Sequence, residues 1–316
     1  MKVSIVGAGR TRNGIGEYIG KYFHQQGGQV ASVLGTTEET SLQASMVLRK
    51  YGIEARAYVD FDDMVKSEKP DAVVIASPST THYGYLLKSL HSRLHIFCEK
   101  PLVWRETTDP SRKVEDIFAK ARQMGLIIAM NSQWPFSIGP YETICEGLRI
   151  EETNTFSIKM SPPFPGREMI PESVPHALSL LYCLLGEGEM EDLRFERLED
   201  QDLNIGFVYR FEEKRCDVTI ALAYREEAPR QFSFGLNDKV VSRSLDLEDY
   251  AIYFTYGDKK LRIMDPLQLS VKNFMEAVEK KTEPLIGSRH ILHNMSLLKR
   301  IDDGFGEFEK RSLWKN

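Results

Sequence analysis

From the start of the chain to about residue 130, short apolar runs take turns with amphipathic stretches, and this alternation restricts the fold more than any other feature. The runs are Val3–Val6, Val30–Leu34, Ala72–Ala76, Leu94–Cys98 and Leu126–Met130. Between them, Ile15–Gln26, Leu42–Tyr51, Tyr83–Leu90 and Val114–Met124 carry apolar residues at helical spacing. Strand alternating with helix predicts an α/β fold with a doubly wound parallel sheet. Because the runs are apolar throughout, the strands are expected to be covered on both faces.

The pattern then changes. Strand-like runs follow one another from Phe156 through Gly206–Phe211, Val218–Ala223 and Phe232–Leu236 to Ala251–Tyr256 and Lys260–Met264. Turn signals such as Glu212-Glu213-Lys214 and Gly257-Asp258 separate them. An antiparallel sheet in a second domain is expected. One helix, His176–Leu185, interrupts it, and two more, Leu267–Lys280 and Ser288–Ile301, follow. The boundary is placed after residue 130, giving domains 1–130 and 131–316.

A chain of 316 residues is long enough for two such domains. A net charge of -5 provides no basic field for nucleic acid or anionic lipid, so neither is an expected partner. The cysteines Cys98, Cys145, Cys183 and Cys216 are scattered, with no C-x-x-C pair, which argues against a zinc site or a disulfide framework. No apolar run approaches the ~18 residues of a membrane span, and the sequence enters a strand without a charged-then-apolar leader. A cytoplasmic protein with a small-molecule partner is expected.

The first strand runs into Gly7-Ala8-Gly9. Glycines there let the backbone turn tightly and approach a pyrophosphate, and the following helix offers N–H donors. The third glycine, Gly16, stands nine residues after Gly7 rather than the usual five. The longer loop adds Arg10, Thr11, Arg12, Asn13, Gly14 and Ile15 to the candidate nucleotide contacts, the arginines as phosphate binders. The second strand ends in Leu34-Gly35-Thr36-Thr37 with no acid at its tip. Small hydroxyl residues plus Arg10 favour NADP. NAD is the alternative if Glu38 reaches the ribose.

Strand–Gly7-x-Gly9, Ser77-Pro78-x-x-x-His82, Glu99-Lys100-Pro101-Leu102, and His176 followed by Leu180-Leu181-x-x-Leu184-Leu185-Gly186 resemble the glucose–fructose oxidoreductase, inositol dehydrogenase and MocA (Gfo/Idh/MocA) family. The resemblance implies a Rossmann domain and a substrate-binding and oligomerisation domain with a large, mainly antiparallel open sheet. It implies oxidation of a sugar or polyol carbinol, or reduction of the ketone, with NAD(P). Ser77, Pro78 and His82 would line the cofactor. Glu99 and Lys100 would sit at nicotinamide and substrate, with a cis bond at Pro101. A homodimer or homotetramer formed through sheet faces is implied as well.

Two departures from the family pattern stand out. The acid four residues before His176 is Glu172 rather than aspartate. The stretch Asn131-Ser132-Gln133-Trp134-Pro135-Phe136 lacks the arginines common there. Trp134 either stacks on an apolar sugar face or belongs to the core. Arg167 is a candidate lining residue of the substrate pocket.

Hydride transfer at a carbinol needs a group that takes the hydroxyl proton, and imidazole has its ordinary pKa near neutrality. Ser173 as cap and Pro175 in the first turn would put His176 at a helix start, whose positive end keeps the ring neutral. Glu172 would precede that helix and orient the ring. His176 is assigned as main acid/base and Lys100 as orienting and electrophilic partner; the reverse assignment stays open. His290 and His293 read as surface or packing residues, and no metal is expected. Asp62-Asp63 and Glu38-Glu39 read as solvated charges at helix starts. Two other functions compete: an imine or enone reductase on the same fold, and a catalytically silent NAD(P)-binding sensor or regulatory protein.

Overall fold

In the computed structural model all residues are described except 10–14, 105–109, 199–200, 228, 247–249 and 314–316, and the side chains of 312 and 313. The chain forms two compact units: residues 1–132 with 267–292, and residues 133–266 with 293–316. The sequence reading drew one boundary, after residue 130. Residues 267–292, which it assigned to the second domain, count with the first unit.

The first unit alternates β1 (Lys2–Val6), α1 (Gly16–Gln25), β2 (Gln29–Leu34), α2 (Glu38–Arg49), β3 (Arg56–Tyr58), α3 (Phe61–Glu68), β4 (Ala72–Ile75), α4 (His82–His91), β5 (His95–Glu99), α5 (Pro110–Met124) and β6 (Ile128–Asn131). Its sheet has the order β3-β2-β1-β4-β5-β6 with every pair parallel, the doubly wound arrangement expected. The strands are apolar because both faces are buried; Val3, Ile5, Val33, Val74 and Phe97 lie in one core. Ser4 and Ser32 are paired across β1 and β2, and their hydroxyls satisfy each other at 2.7 Å. The sequence reading missed β3 and α3, a three-residue strand and an eight-residue helix, because neither is long enough to show a period.

The second unit holds α6 (Ile138–Ile144), β7 (Thr153–Met160), α7 (Met169–Leu185), β8 (Glu189–Arg197), β9 (Leu203–Phe211), β10 (Lys214–Leu222), β11 (Phe232–Leu236), β12 (Lys239–Leu245), β13 (Ile252–Tyr256) and β14 (Lys259–Ile263). They build an eight-stranded sheet in the order β14-β13-β12-β11-β7-β10-β9-β8. It is antiparallel save for the central pair β7 and β10, which run parallel. β7 alternates buried Phe156, Ile158 and Met160 with exposed Thr153, Thr155 and Lys159, so one face is core and the other is open and polar. α7 packs on β7 and β10.

The remaining helices are α8 (Pro266–Lys280), whose Val271 and Phe274 join the core of the first unit, and α9 (Ser288–Leu313). α9 runs a dozen residues beyond its expected end. Among the described residues no helix is long and apolar enough to cross a membrane.

Candidate functional site

In the first unit the site is built at the carboxyl ends of β1, β2, β4 and β5. The strand order reverses between β1 and β4, where open parallel sheets form a crevice for ligands. Gly7 closes β1 with φ 87°, and a Cβ there would stand 2.6 Å from the Ser77 backbone nitrogen. A Cβ on Gly16 would meet the Gly7 carbonyl oxygen at 2.8 Å. A Cβ on Gly9 would meet no described residue within 4 Å. Ile15 precedes α1 and provides no side-chain cap for its first N–H groups. Tight packing under Gly7 and Gly16, space free of described residues beside Gly9 and a helix start that Ile15 leaves uncapped make a cradle that fits a dinucleotide pyrophosphate. Arg10, Thr11, Arg12, Asn13 and Gly14 lie outside the described residues.

Thr36 and Thr37 are exposed beyond β2. Thr37 is the N-cap of α2: its hydroxyl accepts from the Thr40 backbone N–H, and the Thr40 hydroxyl accepts from that of Thr37. Glu38 and Glu39 occupy the first turn of α2, and Asp62 and Asp63 that of α3, where the helix dipole favours acids.

His82 begins α4 but turns inward, 1% exposed. Its Nδ1 lies 2.9 Å from the Pro101 carbonyl oxygen and its Nε2 2.9 Å from that of Ser77. The ring therefore ties the segment after β4 to the segment after β5. Burial pushes its pKa below the ordinary imidazole value, and the neighbouring Lys100 ammonium acts in the same direction. Glu99 and Lys100 are half-buried at the end of β5, and the Lys100–Pro101 bond is cis. The Asn131 amide donates to Glu99 Oε1 at 2.5 Å, and the Ser270 hydroxyl donates to Asn131 Oδ1 at 2.9 Å. Asn131 and Ser270 are both buried, so Glu99 is held from within the core.

In the second unit the structure corrects the local geometry expected around His176. The helix starts at Met169, seven residues earlier than the sequence reading placed it. Ser173 is a buried residue within α7 and not its cap, Glu172 lies inside the helix, and His176 is past the second turn. The argument that a helix start keeps His176 neutral therefore falls, since that field fades within the first turn. Pro171 is tolerated in the first turn, where its missing N–H has no intrahelical acceptor. Pro175 cannot donate to the Pro171 carbonyl, at a cost of about 3 kcal/mol. Burial of Met169, Ile170, Val174, Leu178 and Leu181 offsets it, each worth about 1.5–3 kcal/mol.

Arg167 is engaged by Asp302 in a bidentate ion pair, Nε to Oδ1 and Nη2 to Oδ2, both at 2.6 Å. Trp134 is 5% exposed and stacks on Phe232 with centroids 3.7 Å apart. Of the two roles left open for Trp134, the core contact is the one seen within this unit. His290 is buried, and His293 Nε2 lies 2.7 Å from the Gly188 carbonyl oxygen. Among the described residues no group of three or more His, Cys, Asp or Glu is placed to hold a metal ion.

Residues 1–132 match the family model GFO_IDH_MocA, described as oxidoreductase family, NAD-binding Rossmann fold. The first unit is thus similar to the Rossmann domain of the Gfo/Idh/MocA oxidoreductases. A D-glucoside 3-dehydrogenase of Escherichia coli (strain K12) is 28% identical over 138 residues, 44% of this chain and 36% of that protein. The chain thus spans about a third of the length of that curated relative. Among solved structures, UDP-N-acetylglucosamine 3-dehydrogenase from Acidithiobacillus ferrooxidans superposes with TM-score 0.70 at 16% identity, covering 96% of each chain. A dehydrogenase from Chromobacterium violaceum gives TM-score 0.72 at 14% identity, covering 100% of this chain and 98% of the other. These structural likenesses show a shared fold across both units.

Sequence reasoning singled out the glycine turn, Ser77, His82 and the Glu99-Lys100-Pro101 segment, and the structure places them at the carboxyl ends of β1, β4 and β5. It missed Asn131 and Ser270 as supports of Glu99, since a buried amide and a helix hydroxyl carry no signature until the fold brings them together. It also missed β12.

Proposed function

We propose that this protein is an oxidoreductase of the Gfo/Idh/MocA type that moves a hydride between NADP(H) and the carbinol or ketone of a sugar, polyol or related small molecule. The observation that carries the reading is the set of loops at the carboxyl edge of the parallel sheet. A glycine cradle after β1, the Ser77 segment after β4 and Lys100 after β5 share one edge, and His82 ties the latter two together. The relatives named above, a glucoside 3-dehydrogenase and a UDP-N-acetylglucosamine 3-dehydrogenase, support a sugar-type carbinol.

Gly7, Gly9, Ile15 and Gly16 would hold the pyrophosphate, with Arg10 to Gly14 completing the loop. Thr36 and Thr37 would face the adenosine ribose, and Ser77, Pro78 and Glu99 the nicotinamide half. Bound NADP would accept or deliver the hydride. This chain's own residues handle the proton: His176 takes it from the substrate hydroxyl in oxidation and returns it in reduction, and Glu172 orients the ring. Lys100 positions the substrate oxygen and offsets its developing negative charge. Trp134 and Arg167 are assigned to shaping the pocket, Arg167 through its pair with Asp302. The open polar face of the eight-stranded sheet is the proposed contact of a homodimer or homotetramer, and light scattering gives its number.

NAD is the second reading, and one observation favours it. Glu38, Asp60 and Asp63 line a cavity of about 320 Å³ next to Tyr58, which pairs with Leu34 at the end of β2. Carboxylates there disfavour a 2′-phosphate.

The experiment is a substrate panel followed by NADPH and NADH absorbance, with pH profiles of Lys100→Met and His176→Ala. Loss of one ionisation identifies the proton carrier. An active double variant ends the proposal. Turnover confined to cyclic imines or enones supports the reductase alternative, and tight cofactor binding with no turnover supports the sensor.

A further inference from the structure

The stretch 131–136 holds no arginine, yet a guanidinium reaches Trp134 from another strand. Arg243 sits on β12, where Ser242 is paired with Ser233 of β11, so Arg243 and Phe232 are neighbours on the core-facing side. Its Cζ lies 5.4 Å from the Trp134 ring centroid and 5.8 Å from that of Phe232. The stacked rings account for where the guanidinium rests. They do not account for its donors. Arg243 has five N–H groups, and its one hydrogen bond to a described residue runs from Nη2 to the Arg230 carbonyl at 2.5 Å. It forms no ion pair with a described residue.

The surroundings add to the imbalance. Burial lowers the Arg243 pKa, Asp265 supports its charge, and Arg230 opposes it as a second cation close by. Arg230 Nε is buried without a hydrogen-bond partner among the described residues. So are Gln133 Oε1, adjacent in sequence to Trp134, and Ser161 Oγ, adjacent to Met160, which pairs with Phe232. Buried polar atoms in native proteins are nearly always satisfied, by ligand or water where protein does not reach. Here a donor, an acceptor and a hydroxyl are left over on segments that adjoin one aromatic stack in sequence or in strand pairing, and two like charges lie close by. The turn 134–137 that carries Trp134 packs against α7, the helix of Glu172 and His176.

We propose that Arg243 and Arg230, with Gln133 and Ser161, form an oxyanion-binding pocket on the Trp134–Phe232 stack that takes the carboxylate or phosphate of an acidic sugar. This names a substrate class for the oxidoreductase proposed above and rests on that reading. The arginines hold the anion, the aromatic stack meets an apolar sugar face, and the amide and hydroxyl take sugar hydroxyls.

The test is calorimetric titration of the whole protein with glucose, glucuronate and glucose 6-phosphate at constant ionic strength. At least tenfold tighter binding of one acidic sugar than of glucose is expected, and which one identifies carboxylate or phosphate as the anion. Arg243→Gln is expected to abolish the preference and Arg243→Lys to restore part of it. Arg230→Gln, at a half-exposed position, repeats the test with less risk to folding. Equal affinity for neutral and acidic sugars in the wild type overturns the proposal, as does a preference that survives both glutamine variants. Hydride transfer is measured separately. An acidic preference without turnover leaves the pocket standing and removes the oxidoreductase reading; turnover without the preference does the reverse.

Discussion

Glu172 and His176 stand four residues apart on α7, and from Met169 to Leu181 they are the two positions that stay out of the core. Side chains at i and i+4 lie on one face of a helix, one above the other. A helix buried on almost every side thus presents one carboxylate and one imidazole together. His176→Ala is expected to lower kcat by about 10²–10⁴-fold, the usual contribution of a positioned acid/base. Glu172→Gln keeps shape and hydrogen bonding, so its loss should be smaller and confined to kcat. Steady-state kinetics on both variants check this; an unchanged kcat in His176→Ala removes the residue from the reaction.

His82 meets two main-chain carbonyls with a ring that, when neutral, has one N–H to give. His82→Phe removes the tie between the segments after β4 and β5 and leaves both oxygens without it. A stability loss of about 1–3 kcal/mol is expected, with kcat falling because Lys100 adjoins the released Pro101. Urea denaturation and kinetics measure the two effects. His82→Gln, which retains an amide donor, should recover part of each.

Acid sensitivity follows from His82 and His95 together. Burial lowers both pKa values below the ordinary 6.5. The His95 Nδ1 also accepts the Ile127 backbone N–H at 3.0 Å, a bond that protonation of that nitrogen breaks. In the unfolded chain both rings take up protons near pH 6.5; in the folded chain they resist until lower pH. The unfolded state then binds more protons, so stability falls as pH drops below about 6.5 and is level with respect to these groups above it. Thermal melts from pH 8 to pH 5 test the slope, and His82→Gln should flatten part of it.

The first unit was legible because its signals are local. Continuous apolar strands, a strand–glycine junction and Glu99-Lys100-Pro101 each sit within a few residues. The second unit was less so. Ser173 and Pro175 read as a helix start, yet the burial of α7 carries the helix back to Met169 through Pro175. β12 went unnoticed because Arg243 interrupts the apolar face of Val241 and Leu245. The arginine faces the core at a position where periodicity alone expects an aliphatic residue. Arg167 looked like a pocket residue by type, and only the fold brings Asp302 to it.

The carboxylate of Glu17 in α1 is fully buried and is anchored by the end of α2. It accepts from the Tyr51 hydroxyl at 2.7 Å and pairs with Lys50. Tyr51→Phe removes a hydrogen bond to a charged group, worth about 1.5–3 kcal/mol. Chemical denaturation should show that loss. Because Glu17 immediately follows Gly16, a weaker grip on nucleotide is expected in the same variant.

The three glycines of the first turn should respond differently to a single methyl group, and the contrast separates fold from ligand. Gly7→Ala forces a positive φ on alanine and drives its Cβ onto the Ser77 backbone, where nothing can yield cheaply. Gly16→Ala collides with the Gly7 carbonyl and the Ala8 Cα. Both should unfold at lower temperature whether or not nucleotide is present. Gly9→Ala meets none of the described residues, so its Tm without nucleotide should match the wild type. If the pyrophosphate approaches the backbone at Gly9, that methyl group occupies the ligand's place, and Kd for NADPH and NADH should rise by tenfold or more. Fluorescence titration of the Gly9→Ala protein with both nucleotides decides the matter: unaltered binding would mean that the space beside Gly9 is not where the cofactor lies.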